Sequence, residues 1–547
     1  MKFNRFGTLV ITPLLGVGLL SACSVTQSAQ QEVAVPAGSQ EVATSDSAGS
    51  AGQSVDPVTF SGCEPQTKLL PGLVDETCGV NVLSLTTSRL LAYDNDGKTY
   101  NELADSISTE DNQNWTVKIK SGQTFSDGSP INADSFINAW NLVVREKQVQ
   151  AFFFENMQGY EPGKDLPGLK KVDDLTFTVA LSQPESDWPQ RLGYVTYAPL
   201  PEVAFKDLDA FGEQPVSSGP YTLTKWQHRE SVSFAVNPKY VGPRKAENGG
   251  LESRMYTTPD AAYNDLLAGN LDVLTNIPDS ALKSFKEDLD GRGVTKSIAG
   301  VLSVGISMDA PNFTGEEGRL RRAAISMAIN RPEIIDTIFE GTKQPAEDFT
   351  SPAVDGWRSG VPGSEVLKFN PEKAKELWAQ AEKINKFQGP FKIAYNTAGG
   401  NQAWVDAVCN QLKNNLGIQA EGDAYPDFKS VRDKISKGEM KTAYRANWTA
   451  DYPSQYNFLG PLYGSQSDSN DAKYKNPQFD ALLKSALGSK DPKEAAEKYA
   501  KAQEELLRDL PAIPLWYGSI SGGYSDRVEN VNFGWDDVPP LFAVKKK

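Results

Sequence analysis

The sequence contains one histidine, His228, and this single imidazole limits the chemistry that the chain can perform. Zinc motifs with two histidines and pairs of histidine bases are excluded, because each needs more than one imidazole. A Ser-His-Asp triad would have to use His228, yet no nucleophile elbow lies near it. Glycine-rich phosphate-binding loops are also missing from the sequence. We therefore expect no catalytic residue, no metal site and no cofactor, and we expect His228 to lie on the surface between two strands.

The four cysteines also fit no zinc site, because none of their spacings matches one. Cys63 and Cys78 are fifteen residues apart in a stretch that contains Pro and Gly. A disulfide between them would be local and would stabilise the fold by about 3 kcal/mol. Cys409 lies in a segment that is apolar at helical spacing, and we expect it to be a buried free thiol.

Residues 1–22 have the features of a lipoprotein signal peptide. Lys2 and Arg5 precede an apolar run from Leu9 to Leu20, which is too short to cross a hydrocarbon core of about 30 Å. The run ends in Leu-Ser-Ala-Cys, which resembles the bacterial lipobox and would leave Cys23 as a lipid-bearing N-terminus. We therefore expect palmitate-type acyl chains on Cys23 to hold the protein on the extracytoplasmic face of the cell membrane. The alternative is an ordinary secretory signal with an incidental cysteine.

Residues 23–56 predict a flexible tether between that anchor and the folded body. The segment after Cys23 is rich in Ser, Ala, Gln, Val and Gly and has no aromatic residue, so it cannot bury enough apolar surface to fold. A coil of this length spans on the order of 30 Å. The body should therefore stay close to its membrane partner while it moves.

The charge balance argues against a nucleic-acid partner. There are 55 Lys and Arg residues against 70 Asp and Glu, a net charge of −15, whereas binding phosphates needs clustered basic residues. The hydrophobic content of 39% is typical of a soluble globular body, which we expect to be monomeric. The three lysines at 545–547 are expected to form a solvated tail.

Periodicity predicts a mixed α/β body, and 547 residues correspond to roughly three domains at about 150 residues each. Strands are predicted where apolar and polar residues alternate, at 116–120, 176–180, 231–236, 391–395 and 418–421. Amphipathic helices are predicted at 133–144, 258–268, 318–329, 371–383, 403–416 and 492–507. Two of these helices begin with Pro at the first helical position, after Asn370 and Asp491.

Five sequence blocks occur in an order that resembles the family 5 extracellular solute-binding proteins. The first block, 114–134, reads as a strand, a turn at Asp127-Gly128 and a helix capped near Asn132. The other blocks are 218–221 (Ser-Gly-Pro-Tyr), 237–240, 320–331 and the proline-rich 511–516. Members of this family are the oligopeptide and dipeptide receptors of ABC importers, and the resemblance extends from about residue 60 to about residue 540.

The resemblance implies an α/β fold of the type II periplasmic-binding class, with two lobes, a hinge and the extra subdomain of cluster C. Under it, lobe I comprises 57–100, 213–300 and 505–547, the extra subdomain 101–212, and lobe II 301–504. The ligand would lie between the lobes, which close around it.

The segment 444–453 resembles the ligand-binding segment of the oligopeptide receptors. The resemblance implies that Asp451 pairs with the α-ammonium of a peptide and that Arg445 meets its C-terminal carboxylate. A buried ammonium needs a carboxylate partner, and an arginine can bind a carboxylate in a bidentate fashion. The backbone from Arg445 to Ala450 would pair with the peptide as an added strand. The candidate ligand-binding residues are Asp451, Arg445, Asn447, Trp448, Thr449, Ala450 and, after the first strand, Glu64.

Four of these candidates also have a structural interpretation. Asp451 could be a cap or turn residue, Arg445 could form an ordinary ion pair, and Trp448 could belong to the core. Glu64 could serve only the first strand.

The predicted function is that of a membrane-anchored receptor that delivers short peptides to the permease subunits of an ABC importer and catalyses no reaction. Two alternatives remain open. The same fold could bind a sugar, an opine or a metal chelate, or the protein could be an extracellular hydrolase that uses two carboxylates. Asp451 favours a ligand that bears an amine.

Overall fold

The computed structural model describes residues 56–397, 400–467 and 469–547. The predicted signal peptide, the predicted lipidation of Cys23 and all of the predicted tether except Asp56 lie outside the described residues. Within the described ranges, no helix combines the length and the apolar character that crossing a bilayer requires.

Short strands and helices alternate along the chain. The strands are β1 Val58–Gly62, β2 Leu91–Tyr93, β3 Thr99–Asn101, β4 Ala104–Thr109, β5 Asn114–Ile119, β6 Leu169–Asp173, β7 Thr176–Ala180, β8 Tyr221–Gln227, β9 Ser231–Val236, β10 Leu251–Met255, β11 Val273–Leu274, β12 Gly293–Gly305, β13 Phe391–Asn396, β14 Ala420–Tyr425, β15 Ala443–Thr449, β16 Ala512–Tyr524, β17 Val528–Glu529 and β18 Lys545–Lys546. The helices are α1 Thr77–Thr86, α2 Ala133–Arg145, α3 Trp188–Arg191, α4 Leu208–Glu213, α5 Pro259–Leu267, α6 Phe285–Asp288, α7 Gly315–Ala328, α8 Arg331–Ile338, α9 Pro371–Ile384, α10 Asn401–Leu416, α11 Phe428–Ser436, α12 Gln455–Tyr463, α13 Pro477–Leu487 and α14 Pro492–Asp509.

Local sequence signals account for most of the predicted elements, which are confirmed. In β5 the buried residues Trp115, Val117 and Ile119 alternate with exposed ones, as expected for a strand with one face against a core. Asn132 caps α2, and its side chain accepts a hydrogen bond from the backbone N–H of Ser135. Helices α9 and α14 begin at Pro371 and Pro492, as the sequence predicts.

The strand predicted at 418–421 is displaced toward the C-terminus. Gly417 adopts φ 71° and ends α10, so the chain has to leave the helix before a strand can begin. Strand β14 then starts at Ala420 and continues through Gly422 and Asp423, which are poor strand formers. Parallel pairing with β13 along the whole of β14 outweighs that low propensity.

A ten-stranded sheet forms the centre of the folded body. Its order is β14-β13-β15-β12-β16-β11-β1-β10-β9-β8, so the two long strands β12 and β16 lie in the middle. They pair antiparallel, with a register shift between Ser297 and Val301. The strands β8 to β11 and β1 lie on one side of this pair, and β13 to β15 lie on the other. The lobe boundaries given above stay a prediction.

A second, four-stranded antiparallel sheet has the order β4-β5-β7-β6. Helix α2 packs against it, and its Phe136 and Trp140 join Phe177 of β7 in an aromatic core. All of these elements lie within the range predicted for the extra subdomain.

The three predictions about cysteines and the histidine that fall on described residues are confirmed. Cys63 and Cys78 form a disulfide with their Cα atoms 5.3 Å apart, and Cys409 is a buried free thiol in α10. His228 lies in the turn between β8 and β9, with its side chain 55% exposed. The disulfide closes the loop that leads from β1 to α1 and therefore links the end of β1 to the first turn of α1.

The prediction of a solvated tail at 545–547 is wrong. Lys546 lies in β18, which pairs with β17, and its Nζ is 2.6 Å from Oδ2 of Asp272. Asp272 is completely buried, and Arg527 is its second cationic partner. A buried carboxylate needs such cations, and the tail supplies one of them from the far end of the chain.

Candidate functional site

Strand β15 has one backbone edge that is only partly paired. On one side it pairs with β12 from Tyr444 to Thr449. On the other side β13 pairs only with Ala443 and Tyr444. In the described part of the chain, no strand pairs with this second edge along residues 445–449. The edge therefore offers backbone N–H and C=O groups to an extended chain.

Two cavities lie along this strand and differ in charge. The carboxylate cavity, which we define by Asp451 with Thr449 and Ala450, has a volume of about 210 Å³. The cationic cavity, defined by Arg445 and Lys343, has a volume of about 520 Å³, and Asn447 also lines it. Arg445 and Asp451 are six residues apart, which in an extended chain corresponds to about 20 Å.

Asp451 is a recessed carboxylate without a cationic partner. Burial raises its pKa to about 6, although hydrogen bonds from Asn457 and Tyr194 act in the opposite direction. Asn457 donates from Nδ2 to Oδ2 of Asp451 over 3.3 Å and accepts from the backbone N–H of Asp451 over 3.0 Å. Among the described residues, no Lys, Arg or His lies within ion-pair distance of Asp451. The carboxylate is thus oriented by neutral groups and can accept a cation.

The other charged groups of the carboxylate cavity are already engaged or are also acidic. The Arg89 guanidinium donates to the carbonyl oxygens of Gly193 and Thr87, each over 3.0 Å. Glu76 caps α1 by accepting from backbone N–H groups. Burial raises the pKa of Asp536 to about 6 as well. This surplus of carboxylates favours a positively charged ligand group.

The cationic cavity contains Arg445 and Lys343, and two carboxylates, Asp260 and Asp279, also line it. Burial lowers the pKa of Arg445, and its Nε atom has no hydrogen-bond partner among the described residues. Burial also lowers the pKa of Lys343, whose Nζ lies 3.4 Å from Ser519 Oγ and 5.1 Å from the centre of the Phe339 ring. Asp279 and Asp537 act on the pKa of Lys343 in the opposite direction. Arg445, in contrast, forms no ion pair among the described residues and is the cation that best suits an anionic ligand group.

Two of the predicted site residues line neither cavity. The Trp448 side chain packs beside Ala299 and Phe458, and its Nε1 donates to Asn457 Oδ1 over 3.1 Å. Glu64 approaches the turn between β8 and β9, where its Oε1 lies 2.7 Å from Nδ1 of His228. The remaining candidates, Arg445, Asn447, Thr449, Ala450 and Asp451, are brought together along β15.

Several residues of the site were not predicted from the sequence. These are Asn457, Tyr194 and Asp536 around the carboxylate cavity, and Lys343, Phe339 and Trp516 around the cationic cavity. Most of them lie far from the 444–453 segment in sequence, and no local pattern marks them. Only Asn457 is close enough in sequence to Asp451 to have been suspected.

The chain resembles known proteins over most of its length. A family model described as "Bacterial extracellular solute-binding proteins, family 5 Middle" matches residues 98–470. The periplasmic oligopeptide-binding protein OppA of Salmonella typhimurium is 26% identical over 526 residues, which cover 92% of each chain. The oligopeptide-binding protein OppA of Bacillus subtilis is 26% identical over 472 residues, covering 82% of this chain and 85% of the relative.

Solved structures show the same fold. The Escherichia coli murein tripeptide binding protein MppA superimposes with a TM-score of 0.77 at 20% identity, over 90% of this chain and 99% of that chain. OppA of Haemophilus influenzae in complex with the peptide RPPGFSPFR gives a TM-score of 0.75 at 23% identity, with the same coverage. These likenesses confirm the α/β fold of two lobes that the sequence predicts.

Proposed function

Because the chain belongs to the family 5 bacterial extracellular solute-binding proteins, we propose that it binds short peptides between its lobes and delivers them to an ABC importer. The observation that carries this proposal is the edge of β15 at residues 445–449, which no described strand pairs with. At one end of it lies Asp451, which has no cationic partner among the described residues, and at the other lies Arg445, which forms no ion pair among them. A short peptide has the same three features: an ammonium group, a backbone ready to pair and a carboxylate. The names of the relatives support the same ligand class.

The N-terminal ammonium of the peptide binds to Asp451. A buried carboxylate with a raised pKa gains most from a cationic partner, because ion pairing recovers part of the free energy lost on burial. Asn457 and Tyr194 position the carboxylate for this contact. A sugar would leave the charge unpaired, so Asp451 favours an amine.

The C-terminal carboxylate binds to Arg445 and Lys343 in the cationic cavity. Between the two ends, the peptide backbone pairs with the free edge of β15. Strand addition uses main-chain hydrogen bonds, so binding depends on the direction and length of the peptide. At about 3.3 Å per residue, the roughly 20 Å between the ends accommodates about four to six residues.

Closure of the lobes buries the peptide, and the closed protein is what the permease subunits recognise. Retention at the extracytoplasmic face of the cell membrane depends on acylation of Cys23. Metabolic labelling with palmitate tests this anchor: the wild-type protein should be labelled and remain in the membrane fraction, whereas Cys23→Ser should not. We expect the protein to be a monomer, and sedimentation experiments check this through its mass in solution.

Calorimetry with peptide-free, refolded protein tests the ligand assignment. Tetra-alanine with both ends free should bind, and native mass spectrometry of protein from its host should detect copurifying peptides. N-acetylation of the peptide should weaken binding by about 30-fold or more, and C-terminal amidation should weaken it similarly, because each leaves a buried charge unpaired. If no short peptide binds, the proposal is contradicted, and a sugar, an opine or a metal chelate becomes the favoured ligand.

Two variants test which residue binds each end of the peptide. Asp451→Asn should abolish the difference between free and N-acetylated peptide, and Arg445→Gln should strongly reduce the difference between free and amidated peptide, because Lys343 remains. Arg319→Gln serves as the matched control, because Arg319 forms an exposed ion pair with Glu316 on α7. Variants that keep the full discrimination at their own end would refute the assigned contacts.

A further inference from the structure

The residue that follows Asp451 is buried in the core of the four-stranded sheet. The Tyr452 side chain is 3% exposed and belongs to the same apolar cluster as Trp188, the first residue of α3. Among the described residues, the other buried members of this cluster all lie between positions 70 and 211. The chain that carries the recessed carboxylate is therefore anchored, one residue later, in a part of the fold that is far from it in sequence.

A buried ion pair at the end of α3 packs against the ring of Tyr452. The Arg191 guanidinium lies 5.3 Å from the centre of this ring and 5.6 Å from the centre of the Tyr456 ring. Its Nη2 is 2.8 Å from Oε2 of Glu185, and the two side chains are 8% and 2% exposed. Asn156 donates to the same carboxylate oxygen over 2.8 Å. A buried cation that is held by two rings and a carboxylate has little freedom to move, and it restrains the rings in turn.

The two tyrosines lie beside the groups that orient Asp451. Tyr452 directly follows Asp451 in the sequence. Tyr456 directly precedes Asn457, which donates to the Asp451 carboxylate and accepts from the backbone N–H of Asp451. A shift of either ring would therefore move the carboxylate or its hydrogen-bond partner.

The chain around α3 meets the Asp451 region at two further points. Tyr194, which follows α3, donates a hydrogen bond to the Asp451 carboxylate. Ser454 Oγ donates to Oδ2 of Asp187 over 2.6 Å. Residues 185–194 therefore hold the chain from Asp451 onward by several contacts that are independent of β15.

We propose that Arg191 and Glu185 are positioning residues for Asp451, and that their contacts make the protein selective for peptides with a free N-terminus. This inference rests on the proposed function and names what controls selectivity at one end of the same site. Binding of an ammonium group requires the carboxylate to stay within about 0.5 Å of its productive position, which needs neighbouring side chains that are locked by packing. Arg191 lines neither the carboxylate cavity nor the cationic cavity, and it acts through the two tyrosine rings.

Calorimetry with free and N-acetylated tetra-alanine tests this role. The wild type should prefer the free peptide by about 30-fold or more. The double variant Glu185→Gln/Arg191→Ala removes both charges together, so that no buried charge is left unpaired. Its preference for the free peptide should fall to about fivefold or less, because the carboxylate is no longer held in place. The preference for a free over an amidated C-terminus should not change, because Arg445 lies at the other end of β15.

Three further variants separate positioning from folding. Arg191→Lys keeps a cation beside both rings and should retain a preference of about 15-fold for the free N-terminus. Tyr452→Leu removes one ring on which Arg191 acts, and its effect on this preference should not add to that of the double variant. Arg145→Gln is the matched control, because Arg145 forms an exposed ion pair with Asp165 and should leave both preferences unchanged. Urea unfolding checks that each variant is folded, and Tyr452→Leu tests the same contact if the double variant is not.

The outcomes separate the two proposals. If the wild type binds no peptide, the proposed function fails. If the wild type binds free and N-acetylated peptides equally well, the function stands and the positioning role is refuted. The positioning role is also refuted if the double variant and Tyr452→Leu keep the full preference for a free N-terminus, or if they lose the preferences at both ends to the same extent.

Discussion

Asp451 should make the empty protein less stable while it makes ligand binding stronger. Its carboxylate has no cationic partner among the described residues, and burial raises its pKa from 3.8 to about 6. A change of this size corresponds to about 3 kcal/mol of unfavourable free energy for the ionised form in the folded state. Asp451→Asn removes the charge, and its amide oxygen can still accept from Asn457 and Tyr194. The variant should therefore be about 3 kcal/mol more stable than the wild type at pH 7.5.

The sign of the pH dependence follows from the same pKa. In the folded protein the carboxylate titrates near pH 6, above its value in the unfolded chain, so the folded state binds a proton more readily. The penalty is therefore fully present above about pH 6 and disappears as the pH falls below about 3.8. Urea unfolding of the peptide-free proteins should show a large difference between wild type and Asp451→Asn at pH 7.5 and almost none at pH 3.5.

Asp451→Asn should weaken peptide binding, although it stabilises the peptide-free protein. At pH 7.5 the variant should bind about 150-fold more weakly, which corresponds to about 3 kcal/mol for a lost buried ion pair. The wild type should bind about tenfold more weakly at pH 5 than at pH 7.5, because about nine-tenths of a carboxylate with a pKa near 6 is then protonated.

A control and a refuting result complete this experiment. Asp105→Asn changes an exposed carboxylate that pairs with Lys118 and should alter neither stability nor affinity measurably. If Asp451→Asn is no more stable than the wild type at pH 7.5 and binds peptides equally well, the carboxylate is neither strained nor used.

Three further predictions concern the scaffold. Replacing both cysteines of the Cys63–Cys78 bridge by serine should lower the free energy of unfolding by about 3 kcal/mol, measured in urea, and should make stability insensitive to reductant. The hydrogen bond to Glu64 raises the pKa of His228 above 6.5, so the pair stabilises the fold below pH 6.5 and loses its effect as the pH rises through the raised pKa of the folded protein. NMR titration of His228 should show the raised pKa, and Glu64→Gln should return this pKa toward 6.5. Lys546→Ala leaves buried Asp272 with one cation fewer and should lower stability by about 2 kcal/mol in urea, whereas an unchanged midpoint would mean that the terminal strand contributes nothing.

Elements with a clear period were predictable, whereas the central strands were not. Strands β7 and β9 coincide with the predicted ranges because each alternates buried and outward-facing residues. Strand β12 contains glycines and serines and is buried on both faces along its second half, so it shows no alternation. Only the proline-rich start of β16 was recognised, and its long continuation into the sheet was not.

The residues of the candidate site also fall into a group that the sequence predicts and a group that it does not. Arg445 and Asp451 were recognisable because they lie in one short segment that resembles a known motif. Tyr194, Lys343 and Trp516 reach the cavities from distant parts of the chain. A single sequence carries no record of such long-range contacts. The correction at Lys546 has the same cause, since its partner is more than 250 residues away.

The unpaired edge of β15 also bears on whether the peptide-free protein aggregates. A row of free N–H and C=O groups can template pairing with another folded sheet, which leads to aggregation. Here the free edge is confined to residues 445–449, carries an arginine and lies between two cavities. A free edge of only five residues offers few hydrogen-bonding groups to a long strand of a second folded protein. Confinement of the free edge to these five residues therefore limits its use as a template by other folded proteins.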